Sequence, residues 1–533
     1  MRLKKLCALV LVIACLLSLS ACGSLDSQVD DYVDGKSAGK DLGHSSAADA
    51  VFTLNYNSSY SMNPLVATNT NNQLVCNLIY ENMVELDNTY NVIPNIVTSW
   101  ETDDGMRWVF HVDTERYFHD GTKLTAADVA YSLSCAVNSD RYKGRFGYVF
   151  GTSAYDETSF GVTLAKQNML FPMLLCIPVI KNGSYGDAYP QGTGPYTFSE
   201  DKEYLVAFDK YPNSENLPVD KVYLAQYPGG PDTITAFEDS LIDVVMNDPT
   251  APTNLGYGSS NEIRSFNTMN MHYIGFNSYS ATFSYELMRL AVNYAFDREY
   301  LKTQMGGYCV PTSIPVNPVC KWYSEDANEQ YGYNLEVCRD IIKNLGFSDF
   351  DADGYLEMRQ GEGYMDVDIR FLVCSDSSIK LNMARKFAQD MGNMGIKVSL
   401  LEYAWNDYKK AVEAGNYDMY YGETRLNPDF DITRLIGTGG SMNYGQWSVD
   451  AVDSSIAAYL QATDENRAQA CRDMCDAVCG GAYLVTLCFE KHQMITHRGI
   501  IVGINVNENN PLTNVQNWKI SFENVVVEEK KKD

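Results

Sequence analysis

The sequence predicts an α/β fold with more than one domain. Between residues 367 and 424, segments with strand-like and helix-like apolar spacing alternate, as in proteins whose helices cover the faces of a sheet. The chain has 533 residues, which is more than one hydrophobic core usually serves, so two or three domains are expected. Because this alternation favours parallel pairing, we expect a largely parallel sheet.

The individual elements follow from local patterns along the chain. Alternating apolar residues predict strands, apolar residues at helical spacing predict helices, and Asp120-Gly121 marks a turn. Thr125 is expected to cap a helix, with Asp128 completing a capping box. The expected strands are 51–56, 108–112, 271–277, 367–373, 398–403 and 417–424, and the expected helices are 71–85, 125–138, 232–243, 284–303, 335–345, 379–394 and 405–414.

The N-terminal 22 residues have the pattern of an export signal. A basic start precedes an apolar run over residues 6–19, which is too short to cross a bilayer. The Leu-Ser-Ala-Cys sequence that ends at Cys22 resembles the bacterial lipobox, in which the cysteine receives a diacylglycerol and becomes the new N-terminus. An ordinary secretory signal and an uncleaved anchor are the alternatives. We expect residues 1–21 to be a lipoprotein signal peptide and Cys22 to be lipidated.

The segment after the signal is expected to be a flexible tether. Residues 22–50 are rich in Ser, Asp, Gly and Ala and contain few large apolar side chains. Such a segment cannot bury enough surface to offset the entropy of ordering it. A lipid, a tether and a large globular body indicate a protein that is held at the outer face of a membrane.

Charge and cysteine content restrict the partners and the cross-links. The net charge of −27 argues against nucleic acid as a partner and against electrostatic attachment to anionic lipid. Eleven cysteines follow Cys22, so at least one must be free. Cys471, Cys475 and Cys479 fall on one stripe of a helix and are expected to be buried. Cys309 and Cys320 flank a Pro-rich loop and are the best candidates for a disulfide.

Motifs for catalysis and for metal binding are missing or incomplete. The sequence has no HExxH, Walker-type, GxSxG or GxGxxG motif, so neither an enzyme nor a bound cofactor is expected. Asp349, Asp351 and Asp353 imitate the start of a calcium loop, but position 12 is Gln360, which favours a simple acidic turn. The six histidines are too dispersed along the chain to predict a metal site.

A series of short motifs spreads over residues 51–520. In chain order they are Asn63-Pro64, Leu78-Ile-Tyr-Glu81, Ser99-Trp-Glu101, Trp108-Val-Phe-His111, residues 118–129, Gly192-Thr-Gly-Pro-Tyr196, Ile274-Gly-Phe-Asn277, residues 288–299, Gly346-Phe347, Trp405 and Gly415-Asn-Tyr-Asp418. Their order resembles the family 5 extracellular solute-binding proteins of ABC importers, the group that contains oligopeptide- and dipeptide-binding proteins.

The resemblance implies a two-lobed, periplasmic-binding-protein-like α/β fold of the class II type, with an extra subdomain in the first lobe. In such proteins two connecting strands allow the lobes to close over a ligand. The implied bounds are 51–83, 190–279 and 495–533 for the first lobe, 84–189 for the subdomain, and 280–494 for the second lobe.

The resemblance also implies a ligand site, in which a peptide is bound partly as an added strand. The matching strand is 420–425, Trp405 matches a pocket aromatic, and 439–444 matches a loop that approaches the ligand. The family acid that pairs with a peptide amino terminus falls at Asn427, although Asp429 and Asp431 could replace it. The expected ligand-binding residues are Trp405, Tyr420, Tyr421, Gly422, Glu423, Thr424, Arg425, Asn427, Asn443, Tyr444 and Asn277.

The function implied is that of a lipid-anchored, monomeric receptor that delivers peptides to an ABC permease in the membrane. A neutral residue at 427 and an aromatic-rich site leave an oligosaccharide or another small metabolite open as the ligand. A surface sensor or adhesin without transport is a further alternative. A hydrolase is disfavoured, because the sequence shows no nucleophile–base constellation.

Overall fold

The computed structural model describes residues 51–521 except 228, 230, 252–253, 255 and 258–260. The expected signal peptide, Cys22 and the tether therefore lie outside the described residues, as does 522–533 of the expected first lobe. Among the described residues, no helix is both long enough and apolar enough to cross a membrane.

The strands are short, apart from two that are exceptionally long. They are β1 Thr53–Asn55, β2 Val84–Leu86, β3 Val92–Pro94, β4 Val97–Glu101, β5 Arg107–Val112, β6 Val149–Ala154, β7 Ser159–Leu164, β8 Tyr196–Phe198, β9 Tyr204–Ala207, β10 Lys221–Ala225, β11 Val244–Asn247, β12 Asn261–Phe276, β13 Cys309–Pro311, β14 Glu357–Gln360, β15 Gly363–Asp366, β16 Asp368–Cys374, β17 Lys397–Tyr403, β18 Met419–Arg425, β19 Leu484–His497, β20 Ile501–Val502 and β21 Lys519–Ile520.

The helices cover both faces of the sheets. They are α1 Thr70–Ile79, α2 Ala126–Asn138, α3 Lys143–Phe146, α4 Phe171–Leu174, α5 Pro231–Glu238, α6 Glu286–Ala295, α7 Arg298–Gln304, α8 Glu325–Gln330, α9 Leu335–Asn344, α10 Ser378–Gly392, α11 Trp405–Ala414, α12 Thr433–Ile436, α13 Asp450–Gln461 and α14 Arg467–Gly480.

One sheet of 11 strands runs through the whole molecule in the order β17-β16-β18-β12-β19-β11-β1-β10-β9-β8, with β13 paired to β19. We call β11, β1, β10, β9 and β8 its first half, and β18, β16 and β17 its second half. The antiparallel pair β12 and β19 belongs to both, because it extends from Asn261↔His497 to Gly275↔Leu484. Its register shifts between Asn267 and Met271, where the chain passes from one half to the other. This is the two-lobed α/β architecture with two connecting strands.

The expectation of a largely parallel sheet is wrong. Only the pairs β1–β10, β1–β11, β16–β17 and β16–β18 of this sheet are parallel in the described residues. The sequence patterns did not indicate β19 as a strand, and β12 begins ten residues before the expected 271. Both strands pair with partners far away in the sequence, so local alternation of strands and helices gives no information about their direction.

The expected helices agree closely with the structure, with three exceptions, the first being the helix expected at 232–243, which ends at Glu238. α11 has the predicted bounds, and the backbone N–H of Thr125 donates to the Asp128 carboxylate at 2.9 Å, as a capping box requires. The expected helix 284–303 is instead two helices, because the Asp297 side chain accepts the N–H of Tyr300 at 2.9 Å and starts a new helix. The helix expected at 71–85 ends at Ile79, since the backbone of Tyr80 is extended.

A smaller sheet forms beside the first half of the central sheet. Its order is β4-β5-β7-β6, and α2 packs against it. Stacked aromatic rings fill its core, with the ring centroids of Phe110 and Phe160 only 5.2 Å apart. This sheet lies within residues 84–189, where an extra subdomain is expected.

Two glycines allow β12 and β18 to pack with large rings across the strands. Tyr273 lies opposite Gly422, and Tyr420 lies opposite Gly275. A Cβ on Gly422 would meet the Tyr273 ring at 2.3 Å, and one on Gly275 would meet the Tyr420 ring at the same distance. The two hydroxyls are 3.3 Å apart. Each ring therefore occupies the space above the opposite glycine, which fixes β18 against β12.

The eleven cysteines of the described residues are all free thiols, and only Cys135 is not buried. The disulfide expected between Cys309 and Cys320 is not formed, whereas the stripe Cys471, Cys475 and Cys479 is buried as expected. Burial raises the pKa of several of these thiols, that of Cys320 to about 12. Buried, protonated thiols are poor nucleophiles.

The thiols should therefore be inert in the folded protein. We expect a reducing agent to leave the melting temperature unchanged, and a thiol reagent to label Cys135 quickly but the ten buried thiols only after unfolding. Absorbance with a chromogenic disulfide, compared between the wild type and Cys135→Ser, measures this difference. A melting temperature that falls in reductant would show that a disulfide contributes to stability.

Substitution of Gly422 by Ala should weaken the β12–β18 pair. The added methyl overlaps the Tyr273 ring, and overpacking of this kind costs about 1–3 kcal/mol of unfolding free energy. Denaturant unfolding followed by circular dichroism measures the change. Gly392→Ala at the end of α10 is the matched control, because a Cβ there meets nothing within 4 Å. Equal unfolding free energies for the two variants would contradict this role of Gly422.

Candidate functional site

The ends of strands from both halves of the central sheet face one another at a cleft. β11 runs antiparallel to β19, and β18 runs antiparallel to β12, so both β11 and β18 run towards the junction of the halves. β1 and β16 are parallel to them and end on the same side. The carboxyl ends of such strands are the usual position for ligands in α/β sheets. The connecting strands β12 and β19 form the floor.

The carboxyl end of β18 has a free edge in this cleft. β18 pairs with β12 as far as Arg425, but with β16 only at Met419 and Tyr420. Beyond Tyr420, the edge that faces away from β12 has no strand partner in the described part of the chain. Alternate residues of an antiparallel strand direct their N–H and C=O groups to that edge. Residues 421–425 can therefore pair with an extended chain.

Trp405, the expected pocket aromatic, is connected to this strand through Tyr408. It begins α11, 53% of its side chain is exposed, and its ring stacks on Tyr408 with centroids 5.9 Å apart. The hydroxyl of Tyr408 donates to the carbonyl of Tyr421 at 2.6 Å. A large, exposed ring is thus held near the strand, and the Tyr421 carbonyl is already engaged by Tyr408.

The first residues of the expected ligand-binding strand direct their side chains into the core. Tyr420 and Tyr421 are buried, and the Tyr421 hydroxyl lies 3.0 Å from Nδ1 of His272. Gly422 is covered by the Tyr273 ring. Only their backbone is therefore available at the edge of the strand.

The last residues of the strand carry charge into the cleft. Glu423 is exposed, and its carboxylate accepts from Lys380 Nζ at 2.7 Å, while Thr424 is half-buried. Arg425 pairs with Glu508 at 3.2 Å. Because Glu508 also accepts the N–H of Met269 at 3.0 Å, this pair joins β18 to the C-terminal segment across the junction.

The acids after the strand are turned away from the cleft. Asn427 is half-buried, while Asp429 is buried and accepts from the Asn168 amide at 3.0 Å. Burial, together with the charge of Asp431, raises the pKa of Asp429 to about 6. Asp431 pairs with Lys166 Nζ at 2.6 Å. Both acids thus hold the second half of the molecule against the smaller sheet.

The remaining expected residues lie at the far end of β18. The amide of Asn277 donates to the carbonyls of Gly415 and Tyr417, and that of Asn443 donates to carbonyls within its own loop. Tyr444 contacts the Tyr420 ring, with centroids 6.2 Å apart. Tyr408 thus links Trp405 to Tyr421, whereas the amides of Asn277 and Asn443 bond to backbone carbonyls at the other end of the strand.

Sequence reasoning missed a buried polar cluster at the junction. Glu490 of β19 contacts Nε2 of His272 at 2.7 Å, the Asn270 amide at 2.9 Å and the Thr250 hydroxyl at 3.2 Å. Burial alone would raise the pKa of Glu490, but close contacts with His272 and His492 outweigh it and hold that pKa well below its ordinary value. Alternation places Glu490 and His492 on one face of a strand, which was the available signal.

Two other features lie away from this cleft. The acidic turn brings oxygens of Asp349, Asp351, Asp353 and Glu357 within 4.8 Å of one another, but Glu357 accepts the N–H of Phe350 and the aspartates accept backbone N–H groups of the same turn. A cavity of about 510 Å³ opens beside the ion pair of Arg370 and Asp418 at the far end of the second half.

The chain matches a known family over most of its length. The model of "Bacterial extracellular solute-binding proteins, family 5 Middle" matches residues 91–444. Oligopeptide-binding protein AppA of Bacillus subtilis is 22% identical over 384 residues, covering 67% of this chain and 69% of AppA. Heme-binding protein A of Haemophilus influenzae is 21% identical over 440 residues, covering 73% of this chain and 78% of that protein.

Solved structures show the same fold. AppA from Bacillus subtilis in complex with a nonapeptide superposes with a TM-score of 0.62 at 17% identity, covering 88% of this chain and 98% of AppA. CtaP, an ABC transporter substrate-binding protein from Listeria monocytogenes, gives a TM-score of 0.72 at 17% identity, covering 88% of this chain and 99% of CtaP. The two-lobed architecture and the extent of the family match agree, and the chain belongs to the family 5 bacterial extracellular solute-binding proteins.

Proposed function

We propose that this protein binds peptides in the cleft between its halves and delivers them to an ABC permease. The unpaired edge of β18 beside the exposed ring of Trp405 carries this proposal. A peptide that adds to residues 421–425 as a strand gains main-chain hydrogen bonds whatever its sequence, while Trp405 packs against a side chain. The nonapeptide complex of AppA is consistent with this ligand class.

Recognition of the peptide amino terminus would be weak at the position where the resemblance places it. Asn427 has no charge, and the nearby Asp429 and Asp431 are engaged by Asn168 and Lys166. Affinity should therefore come from the main chain and from Trp405. The charge on the amino group should contribute little.

Closure of the halves would trap the peptide. The proposed lobes are 51–83 with 190–279 and 495–533, and 280–494, with 84–189 as the subdomain. Contacts that cross these bounds include Arg425–Glu508 and Lys166–Asp431. A peptide that contacts both lobes binds the closed form more tightly than the open form. The difference between these two affinities sets how far the population shifts towards the closed form.

An oligosaccharide or another small metabolite is the second candidate. The exposed ring of Trp405 offers a stacking surface, and Asn427 offers an uncharged hydrogen-bonding amide. Such a ligand would not use the free edge of β18. Identification of a co-purified ligand by mass spectrometry separates the two candidates.

The proposed setting is the outer face of the cell membrane, where a monomer attached through a lipid on Cys22 works beside its permease. Residues 22–50 would allow the body to close and to dock. If the protein serves transport, deletion of the permease should abolish uptake of the bound peptide. If it serves only sensing, uptake should not depend on this protein.

Peptides with free and acetylated amino termini should bind with similar affinity, within about threefold, because residue 427 is neutral. Asn427→Asp should favour the free-amine peptide, by roughly 0.2–1 kcal/mol for an exposed ion pair. Tryptophan fluorescence titration of each peptide measures both values. Asn427→Gln is the uncharged control. Acetylation that abolishes binding to the wild type would contradict recognition through the main chain, and failure of a broad peptide library to bind would contradict the peptide proposal.

Cys22→Ala should prevent lipid attachment. We expect the variant to be released from the membrane or to keep its signal segment, which cell fractionation and intact-protein mass spectrometry detect. Cys135→Ser, a substitution of a half-exposed thiol in the globular body, is the control and should remain anchored. A Cys22→Ala protein that is cleaved and membrane-bound at the normal level would refute the anchor, although not the binding fold.

A further inference from the structure

Three ionisable side chains converge at the mouth of the polar cluster at the junction. His492 and Glu490 project from the same face of β19, and Asp248 follows the end of β11. Nε2 of His492 lies 3.4 Å from Oε2 of Glu490 and 3.8 Å from Oδ1 of Asp248. One ligand atom from each of the three lies within 4.8 Å of the others.

These separations fit a shared ion better than direct hydrogen bonds. A hydrogen bond between an imidazolium and a carboxylate is about 2.7–2.9 Å long. Nitrogen and oxygen ligands at about 2.0–2.2 Å from one tetrahedral metal ion lie roughly 3.4 Å from each other. In addition, Nε2 of His492 is buried, and its contact with Glu490 at 3.4 Å is too long and too poorly aligned for a good hydrogen bond. The nitrogen is thus directed at a space that both carboxylates border.

The surrounding groups hold two of the ligands in place. Nε2 of His272 lies 2.7 Å from Oε1 of Glu490, and the Asn270 amide donates to Oε2 at 2.9 Å. The N–H and hydroxyl of Thr250 hold Oδ1 of Asp248 at 2.8 and 2.7 Å. Outer hydrogen bonds of this kind orient metal ligands and raise affinity.

His272 has this outer role and is not a ligand. Its Nε2 contacts Glu490 and its Nδ1 contacts the Tyr421 hydroxyl, so both ring nitrogens are engaged. Solvent can reach the site, because the side chains of His492 and Asp248 are 27% and 37% exposed.

We propose that His492, Glu490 and Asp248 form a binding site for a divalent transition-metal ion such as Zn²⁺ or Ni²⁺. An imidazole with two carboxylates suits these ions, whereas Ca²⁺ and Mg²⁺ prefer oxygen ligands alone. Water completes the coordination. The ion ties the loop after β11 to the connecting strand β19, and it does so whatever solute the cleft binds, so this site is independent of the proposed function.

The test uses the full chain in detergent, stripped of metal by a chelator and titrated with Zn²⁺ and Ni²⁺ in a calorimeter without peptide. One Zn²⁺ or Ni²⁺ ion per protein molecule should bind saturably and raise the melting temperature. Ca²⁺ and Mg²⁺ should neither bind nor raise it. Co²⁺ should give a visible absorption band that reports on its coordination. Absence of a saturable equivalent would overturn the proposal.

Variants locate the ion. His492→Ala and Asp248→Asn should each weaken Zn²⁺ binding at least tenfold and abolish the Co²⁺ band, and both positions are partly exposed, so the fold should survive. His111→Ala is the matched control, because it removes an exposed histidine from β5 without touching the junction. Asp351→Asn tests the acidic turn. Unchanged binding in both His492→Ala and Asp248→Asn, or loss of binding in Asp351→Asn alone, would contradict the site.

Discussion

The antiparallel pair of β12 and β19 is the constraint on which the rest of the molecule depends. Both halves of the central sheet are built outward from these two strands, and the register changes between Asn267 and Met271, where the halves meet. At that point the regular ladder is interrupted, and the Thr268 hydroxyl bonds to the Glu490 carbonyl at 2.9 Å. An interruption in a two-stranded connection concentrates bending there, which suits closure of one half over the other.

The same interruption explains why charged groups collect at the junction. A buried carboxylate is costly unless it is paired and hydrogen-bonded. Glu490 meets that condition through His272, Asn270 and Thr250, which come from the other connecting strand and from the loop after β11. The cluster therefore links the connecting strands to the first half, and it leaves its open side, with His492, facing the cleft.

The free edge of β18 arises because its two neighbouring strands pair with it over different lengths. β12 accompanies β18 to Arg425, while β16 departs after Tyr420 and leaves backbone groups without a strand partner. The reciprocal packing of Tyr273 over Gly422 and Tyr420 over Gly275 keeps that edge rigid. The proposed peptide site depends on this edge and on the exposed ring of Trp405.

The sequence by itself determined the local elements and the family. Apolar spacing and capping chemistry predicted α11 and the helix after Thr125, because these depend on neighbours within a turn or two. The strand expected at 417–424 is present as Met419–Arg425. Tertiary structure alone decided the antiparallel course of β19, the engagement of Asp429 by Asn168, and the meeting of His272 with Glu490 across 218 residues. Those contacts join segments distant in the chain, and no local periodicity records which distant segments will become neighbours.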